Sequence, residues 1–504
     1  MGDRETTALT RMLGESAIGA VGAVVGFLVS YAILGVLTRY LSLEDFGVYA
    51  MLVSLLDLAI VFALCGLPQA IDRFTAMYNA REESGKSRSL AVRGVVFAVA
   101  VGGIGFAGLA LASRPIAGLL LGSSDRATAL ILFSASFPIA LLLRTLLAVS
   151  IGHKQLRHFV LVDRLLIPGL KLILGLGVLA LGYGLLGWLG AYCAAMVAGL
   201  ACAWRLVRLR IWPDLADHAP ERISFRRILG FAWPLVFVDV TIHIARDVPV
   251  LLLGRAGTIE SAGILRIYLL IAGFLVLVLS AVSRIHKPVI TDLITRGHLE
   301  EARSTHQRVS KWAFVVGVYS AGILFVLGRE FVAILFTPAY AQEFSALLIL
   351  SAGALARLAS GPGGAALQAM GATRRNLLSA VLGLFAMVVS GAFLIPRLGI
   401  LGAALAISLF WAIRDGTAAW QARRLGGFIS FGSAHLKCAL VAALTIGGFL
   451  LLRHITSLAG PAWNATFGIA FTGVYWAGLL LWNVVDSVDR ELLSGVLKRG
   501  TPAG

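Results

Sequence analysis

The residues able to do chemistry in this sequence stand inside its apolar stretches. Asp239, His243, Arg246 and Asp247 recur at i, i+4, i+7 and i+8, so on a helix they share one face. Histidine beside carboxylates changes charge near physiological pH, whereas the arginine stays protonated throughout. Such a stripe can act as a gate whose protonation favours one conformation over another, which would couple movement to a proton gradient. The plainer expectation is internal pairing, Asp239 with His243 and His243 with Asp247, that only packs the helix. Lys171 and Arg357 each fall near the middle of an apolar run, too far from its ends to reach a polar layer. An ionised group at mid-bilayer costs from ~3 to more than ~10 kcal/mol, so both must face a partner or a wet cavity. With Arg144 and Arg266 as helpers, they would make a cationic substrate cavity. Arg164, Arg414 and Asp415 lie nearer the ends of their runs and read as snorkelling or paired side chains. Asp57 and Asp163 are the remaining carboxylates inside apolar runs.

The elements that must position these groups are membrane helices. Of the 504 residues 59% are hydrophobic and 14% charged, which excludes an ordinary soluble domain. A crossing helix needs roughly 20 mostly apolar residues. Runs of that kind cover 17–40, 46–67, 92–111, 127–151, 159–181 and 185–206, then 228–253, 262–282, 312–327, 344–370, 377–395 and 400–422. Two more, 434–452 and 463–482, complete an all-α polytopic protein of about fourteen spans. Pro168, one turn before Lys171, and Gly361-Pro362, just after Arg357, interrupt helical hydrogen bonding and are the expected hinges. With the N-terminus inside, roughly two-thirds of the 43 Lys and Arg fall on the inner side, most heavily in 68–93, 205–227 and 284–311. Both termini are then cytoplasmic, and the membrane spanned is expected to be the cytoplasmic (inner) one. Most of the net charge of +17 is topology and attraction to anionic membrane lipids, with no call for nucleic acid.

Several functions are disfavoured by the same reading. Cys65, Cys193, Cys202 and Cys438 all lie in apolar runs, without a CxxC or a histidine pair at metal spacing, so neither disulfides nor a metal site is expected. No cofactor is expected either. Gly85-Lys86-Ser87 imitates the end of a phosphate-binding loop, but its first glycine would fall on Ala80 and no strand precedes it. An integral glycosyltransferase or polymerase would need acid and base groups held in sizeable outer loops, and those loops are short, with only scattered charges and no paired carboxylates.

The chain also repeats itself at a spacing of about 216 residues. Arg39-Tyr-Leu-Ser-Leu-Glu44-Asp-Phe-Gly47-Val matches Arg255-Ala-Gly-Thr-Ile-Glu260-Ser-Ala-Gly263-Ile. Gly152-His-Lys154 resembles Gly371-Ala-Thr-Arg374, and Gly184-Leu-Leu-Gly187 matches Gly399-Ile-Leu-Gly402. Two pseudo-symmetric six-helix lobes are therefore expected, 1–208 and 228–422, joined by a cytoplasmic loop at 209–227. Residues 434–482 would add two helices and 483–504 a cytoplasmic tail. An even helix number per lobe gives both the same orientation, with the substrate site between them.

Through Arg39-Tyr-Leu-Ser-Leu-Glu44-Asp45-Phe46-Gly47-Val-Tyr49, Leu335-Phe-Thr-Pro338-Ala-Tyr340 and Gly399-Ile-Leu-Gly402-Ala-Ala404, the sequence resembles the MOP exporter superfamily. The resemblance is to its polysaccharide-transporter branch, the Wzx-type O-antigen and oligosaccharide flippases, and covers nearly the whole chain. It implies a MATE-like fold, alternating access, and no catalysis. The implied substrate is a polyprenyl-phosphate-linked oligosaccharide, with polysaccharide polymerase or ligase machinery as a further partner. The lipid II flippases of the same superfamily usually carry arginine in the first span, whereas residues 17–38 hold no charge here. A multidrug antiporter for organic cations should show acidic cavity charge, which the basic bias of these spans opposes.

Overall fold

The computed structural model describes residues 22, 25–456, 460–486 and 489, and among them every regular element is a helix. After α1 (Val25–Tyr40) the chain runs through α2 (Leu43–Leu64), α3 (Leu67–Ala80), α4 (Ser84–Leu111), α5 (Ser113–Leu120), α6 (Ala127–Ser134) and α7 (Ser136–Gly152). Then come α8 (Leu156–Phe159), a π-helical segment (Val160–Leu166), α9 (Ile167–Ala180), α10 (Gly184–Arg210) and the short α11 (Trp212–Ala216). The second half comprises α12 (Phe225–Ala256), α13 (Ile259–Leu275), α14 (Leu277–Thr295), α15 (Leu299–Phe336), α16 (Phe344–Ala359) and α17 (Gly363–Ala369). It ends with α18 (Thr373–Leu398), α19 (Ile400–Gly426), α20 (Ser433–Thr456) and α21 (Pro461–Leu481).

Among the described residues, ten helical stretches are long and apolar enough to cross a membrane. The other four expected spans are helical over their described residues. They are α1, the π-interrupted α8–α9, the charge-bearing α12 and the 17-residue α13. Two stretches expected as polar loops are instead largely helical. Residues 68–93 hold α3 and the start of α4, and 284–311 hold the end of α14 and the first turns of α15. The physical reason is that a helix satisfies its own backbone on leaving the bilayer. At 1.5 Å per residue the 38-residue α15 is about 57 Å long, well beyond a ~30 Å hydrocarbon layer.

The internal repeat has a local cause. Ser42 accepts the Asp45 N–H at 3.0 Å and so caps α2, while Thr258 accepts the Ser261 N–H at 3.2 Å before α13. Gly184 and Gly399 open α10 and α19 at φ +53° and +55°, a conformation that glycine adopts without steric cost. The two repeated segments also meet. A Cβ on Gly47 would strike the Ile259 carbonyl, and one on Gly263 would lie 2.9 Å from Phe46 and 3.2 Å from the Gly47 backbone.

The described residues up to Ile267, with Gly391–Ala403, form one compact unit, and Tyr268–Ser390 with the residues from Ala404 onward form another. In the first, α12 packs against α2 and α3, α4 against α7, and α9 against α10. In the second, α15 packs against α14, α16, α20 and α21. Its interior holds His286 and His306 with ring nitrogens 3.1 Å apart, and His306 reaches Ser430 at 2.9 Å. Lys311 pairs with Asp486 at 3.0 Å and with Asp489, fastening α15 to the stretch after α21.

Candidate functional site

In the first unit, the close packing of α2 on α12 lets charged side chains converge within an apolar bundle. Asp247 of α12 is fully buried, with one oxygen 2.8 Å from Arg266 of α13 and the other 2.7 Å from Arg246. Arg246 also donates to Asp57 of α2 at 2.8 Å, and Arg266 approaches the same carboxylate at 3.5 Å. Two carboxylates thus balance two guanidiniums, and each buried charge has a partner, as low-dielectric burial requires. The i, i+8 stripe read from the sequence turns its Asp247 toward arginines. Asp239 lies in α12, but its side chain is outside the described residues.

Beside this network is a polar cavity of about 410 Å³. It is walled by the end of α2, the start of α3, α7, the π segment and α12, and its polar lining comprises Gln69, Asp72, Arg144, Asp163 and His243. Asp163 has Arg164 as a neighbour at 3.5 Å. Burial raises the Asp72 carboxyl above its usual range. Arg144 differs from the other arginines of this unit's interior. It is exposed on the cavity wall, in the interior of α7, and makes no hydrogen bond or ion pair among the described residues.

The π-helical segment carrying Asp163 has an identifiable origin. Pro168 has no N–H to offer the carbonyl of Arg164 four residues back, and its ring crowds that carbonyl. The hydrogen bonding widens accordingly, with the Ile167 N–H donating to Val162 five residues earlier. One turn beyond Pro168, the Lys171 ammonium lies 3.4 Å from the centre of the Tyr192 ring, a cation–π contact.

Lys171, Arg144, Arg266 and the α12 stripe all belong to the first unit, and Arg357 belongs to the second. There Arg357 occupies the last turn of α16, where the helix dipole favours a cation, and lies 3.4 Å from Asp415. Arg414 is also 3.4 Å from Asp415. The helix breaks between Ala359 and Gly363, with Gly361 at φ +60° and Pro362 as the N-cap of α17. The sequence alone does not assign Asp57, Gln69, Asp72 or Asp163 to the site. A lone carboxylate in an apolar run was a usable signal for Asp57, by the logic applied to Lys171, but Gln69 and Asp72 lie where a loop was expected.

A family model described as polysaccharide biosynthesis protein matches residues 12–293. Curated proteins give no significant match. Among solved structures, the chain is similar to the lipid II flippase MurJ in an inward closed conformation. The TM-score is 0.70 at 13% identity, over 95% of this chain and all of that one. It is also similar to an inward-facing multidrug resistance MATE family transporter of the MOP superfamily, with a TM-score of 0.69 at 15% identity over 78% of this chain and 93% of that one. An outward-facing structure of such a MATE transporter gives 0.58 at 16% identity, over 82% and 95%.

Proposed function

The chain belongs to the polysaccharide biosynthesis protein family and has the fold of MOP-superfamily transporters, and from that premise we propose that it is a flippase for lipid-linked oligosaccharide. The substrate class is a polyprenyl phosphate or pyrophosphate bearing the sugars of a surface polysaccharide. It would be carried across the cytoplasmic membrane by a chain of fourteen spans with both termini cytoplasmic.

The observation that carries this reading is Arg144, a guanidinium with no hydrogen bond or contact ion pair among the described residues, exposed on the wall of a polar cavity among apolar helices and attracted only at longer range by Asp57. A contact ion pair needs no ligand, whereas a cation among apolar helices that lacks one is favoured by an anionic ligand. Phosphate oxygens match a guanidinium bidentately, and Gln69 on the same wall can hydrogen-bond a sugar hydroxyl. Lys171 and Arg357 are second-rank candidates, each already engaged, by Tyr192 and Asp415 respectively. Arg266 works instead within the Asp57–Arg246–Asp247 network. That network, with His243 on the cavity wall, is the proposed coupling element, since protonating a carboxylate there would leave an arginine unbalanced and favour a rearranged state.

The test is binding of a pyrophosphate-linked oligosaccharide to purified protein. Arg144→Ala should weaken it by about 10- to 100-fold, as expected for one lost charge-assisted interaction, and Arg144→Lys should recover part of the loss. Unaltered affinity in Arg144→Ala would remove this residue from the site. Equal affinity for an organic cation would favour an antiporter.

A further inference from the structure

A second cavity in the first unit, of about 340 Å³, has almost the opposite chemistry. It lies at the end of the bundle where α10 gives way to α11, and its walls include Ala91 and Val95 of α4, Leu146 and Val149 of α7, and Trp204 and Val207 of α10. Leu215 and Trp212 of α11 close its floor. The floor is fixed in place. Arg88 donates to the carbonyls of Ala216 and His218 at 3.2 and 2.7 Å, and its guanidinium lies 5.7 Å from the Trp212 ring centre. Arg93 holds the carbonyl of Ile223 at 2.9 Å. The mouth opens on the outer face of spanning helices, where Val96 and Trp204 are 61% and 49% exposed. An apolar slot facing hydrocarbon accepts a hydrocarbon chain and disfavours water.

The one charged group lining it is Arg208, exposed and without a hydrogen bond or ion pair among the described residues. Arg205 and Arg210 are exposed beside it at the end of α10. An exposed, unpaired guanidinium lining an apolar slot, with tryptophans at the end of a spanning helix, matches a phosphate headgroup joined to an acyl chain. From this geometry we infer that the slot closed by α11 is a binding site for an anionic phospholipid, with one acyl chain between α4, α7 and α10 and the phosphate on Arg208. Because its guanidinium meets the headgroup directly, Arg208 carries the preference for a net negative headgroup over a zwitterionic one, whose ammonium it would repel.

Purified protein in detergent would be titrated with dibrominated phosphatidylglycerol or dibrominated phosphatidylcholine while tryptophan fluorescence is read. Subtracting the signal of the Trp204→Phe/Trp212→Phe variant isolates the two lining rings. Phosphatidylglycerol should quench this component at about fivefold lower concentration than phosphatidylcholine, and Arg208→Gln, at an exposed position that folding does not need, should erase that difference. Val95→Phe, which fills the slot, should weaken quenching by both lipids. Equal quenching by the two lipids, or an unchanged preference in Arg208→Gln, would overturn the proposal in favour of unspecific lipid contact. Displacement by polyprenyl phosphate more readily than by unbrominated phosphatidylglycerol would assign the slot to the isoprenoid tail instead.

Discussion

Arg144 and Asp247 are both charged side chains inside apolar helices, yet their surroundings give them opposite roles. Asp247 is fully buried between Arg246 and Arg266, so replacing it leaves two guanidiniums to share Asp57. Breaking a buried pair from one side costs about 3–5 kcal/mol. Arg144 makes no ion pair at contact distance and reaches the network only through a longer-range attraction to Asp57, so its removal should cost about 1 kcal/mol or less. Thermal unfolding in detergent should therefore show a large drop for Asp247→Ala and almost none for Arg144→Ala. Similar drops in both would mean that Arg144 is a structural residue with a partner. This difference was not legible in the sequence, where both residues were simply charges in lipid. Spacing along one helix can show that Asp239, His243 and Asp247 share a face, but not that α2 and α13 bring Asp57 and Arg266 to Asp247.

At the scale of elements, the π-helical segment is where sequence and structure meet most closely. Pro168 was legible as an interruption, because a proline inside a span always removes a donor. How the freed carbonyl is accommodated was not, since a kink, a break and a widened helix all begin from the same proline. The chain uses the widened form over Val160–Leu166, which carries Asp163 in the cavity wall. Pro168→Ala restores the missing donor and should allow ordinary α-helical bonding, raising the unfolding temperature while slowing transport. A variant with wild-type stability and transport would show that the π segment serves neither. The repeat was legible in the same partial way. Ser42 and Thr258 were visible as aligned residues, and their capping of α2 and α13 explains the alignment. That Gly47 and Gly263 are needed where the repeated segments touch required the coordinates.

For the molecule as a whole, hydropathy alone carried the fold class, because in lipid a chain without strand closure has only helices with which to satisfy its backbone. It did not carry α3, α11 and the first turns of α15, whose polar composition resembles that of loops. The proposed function rests on the combination of family, fold and a cation without a contact ion pair in a polar cavity. The most direct measurement is translocation of a fluorescent pyrophosphate-linked oligosaccharide in proteoliposomes, followed by its accessibility to a membrane-impermeant quencher. The wild-type protein should move the lipid well above the rate in protein-free vesicles, and Arg144→Ala, with its stability intact, should be about 10- to 100-fold slower. A wild-type rate no higher than that of protein-free vesicles, with or without an imposed pH gradient, would contradict the account.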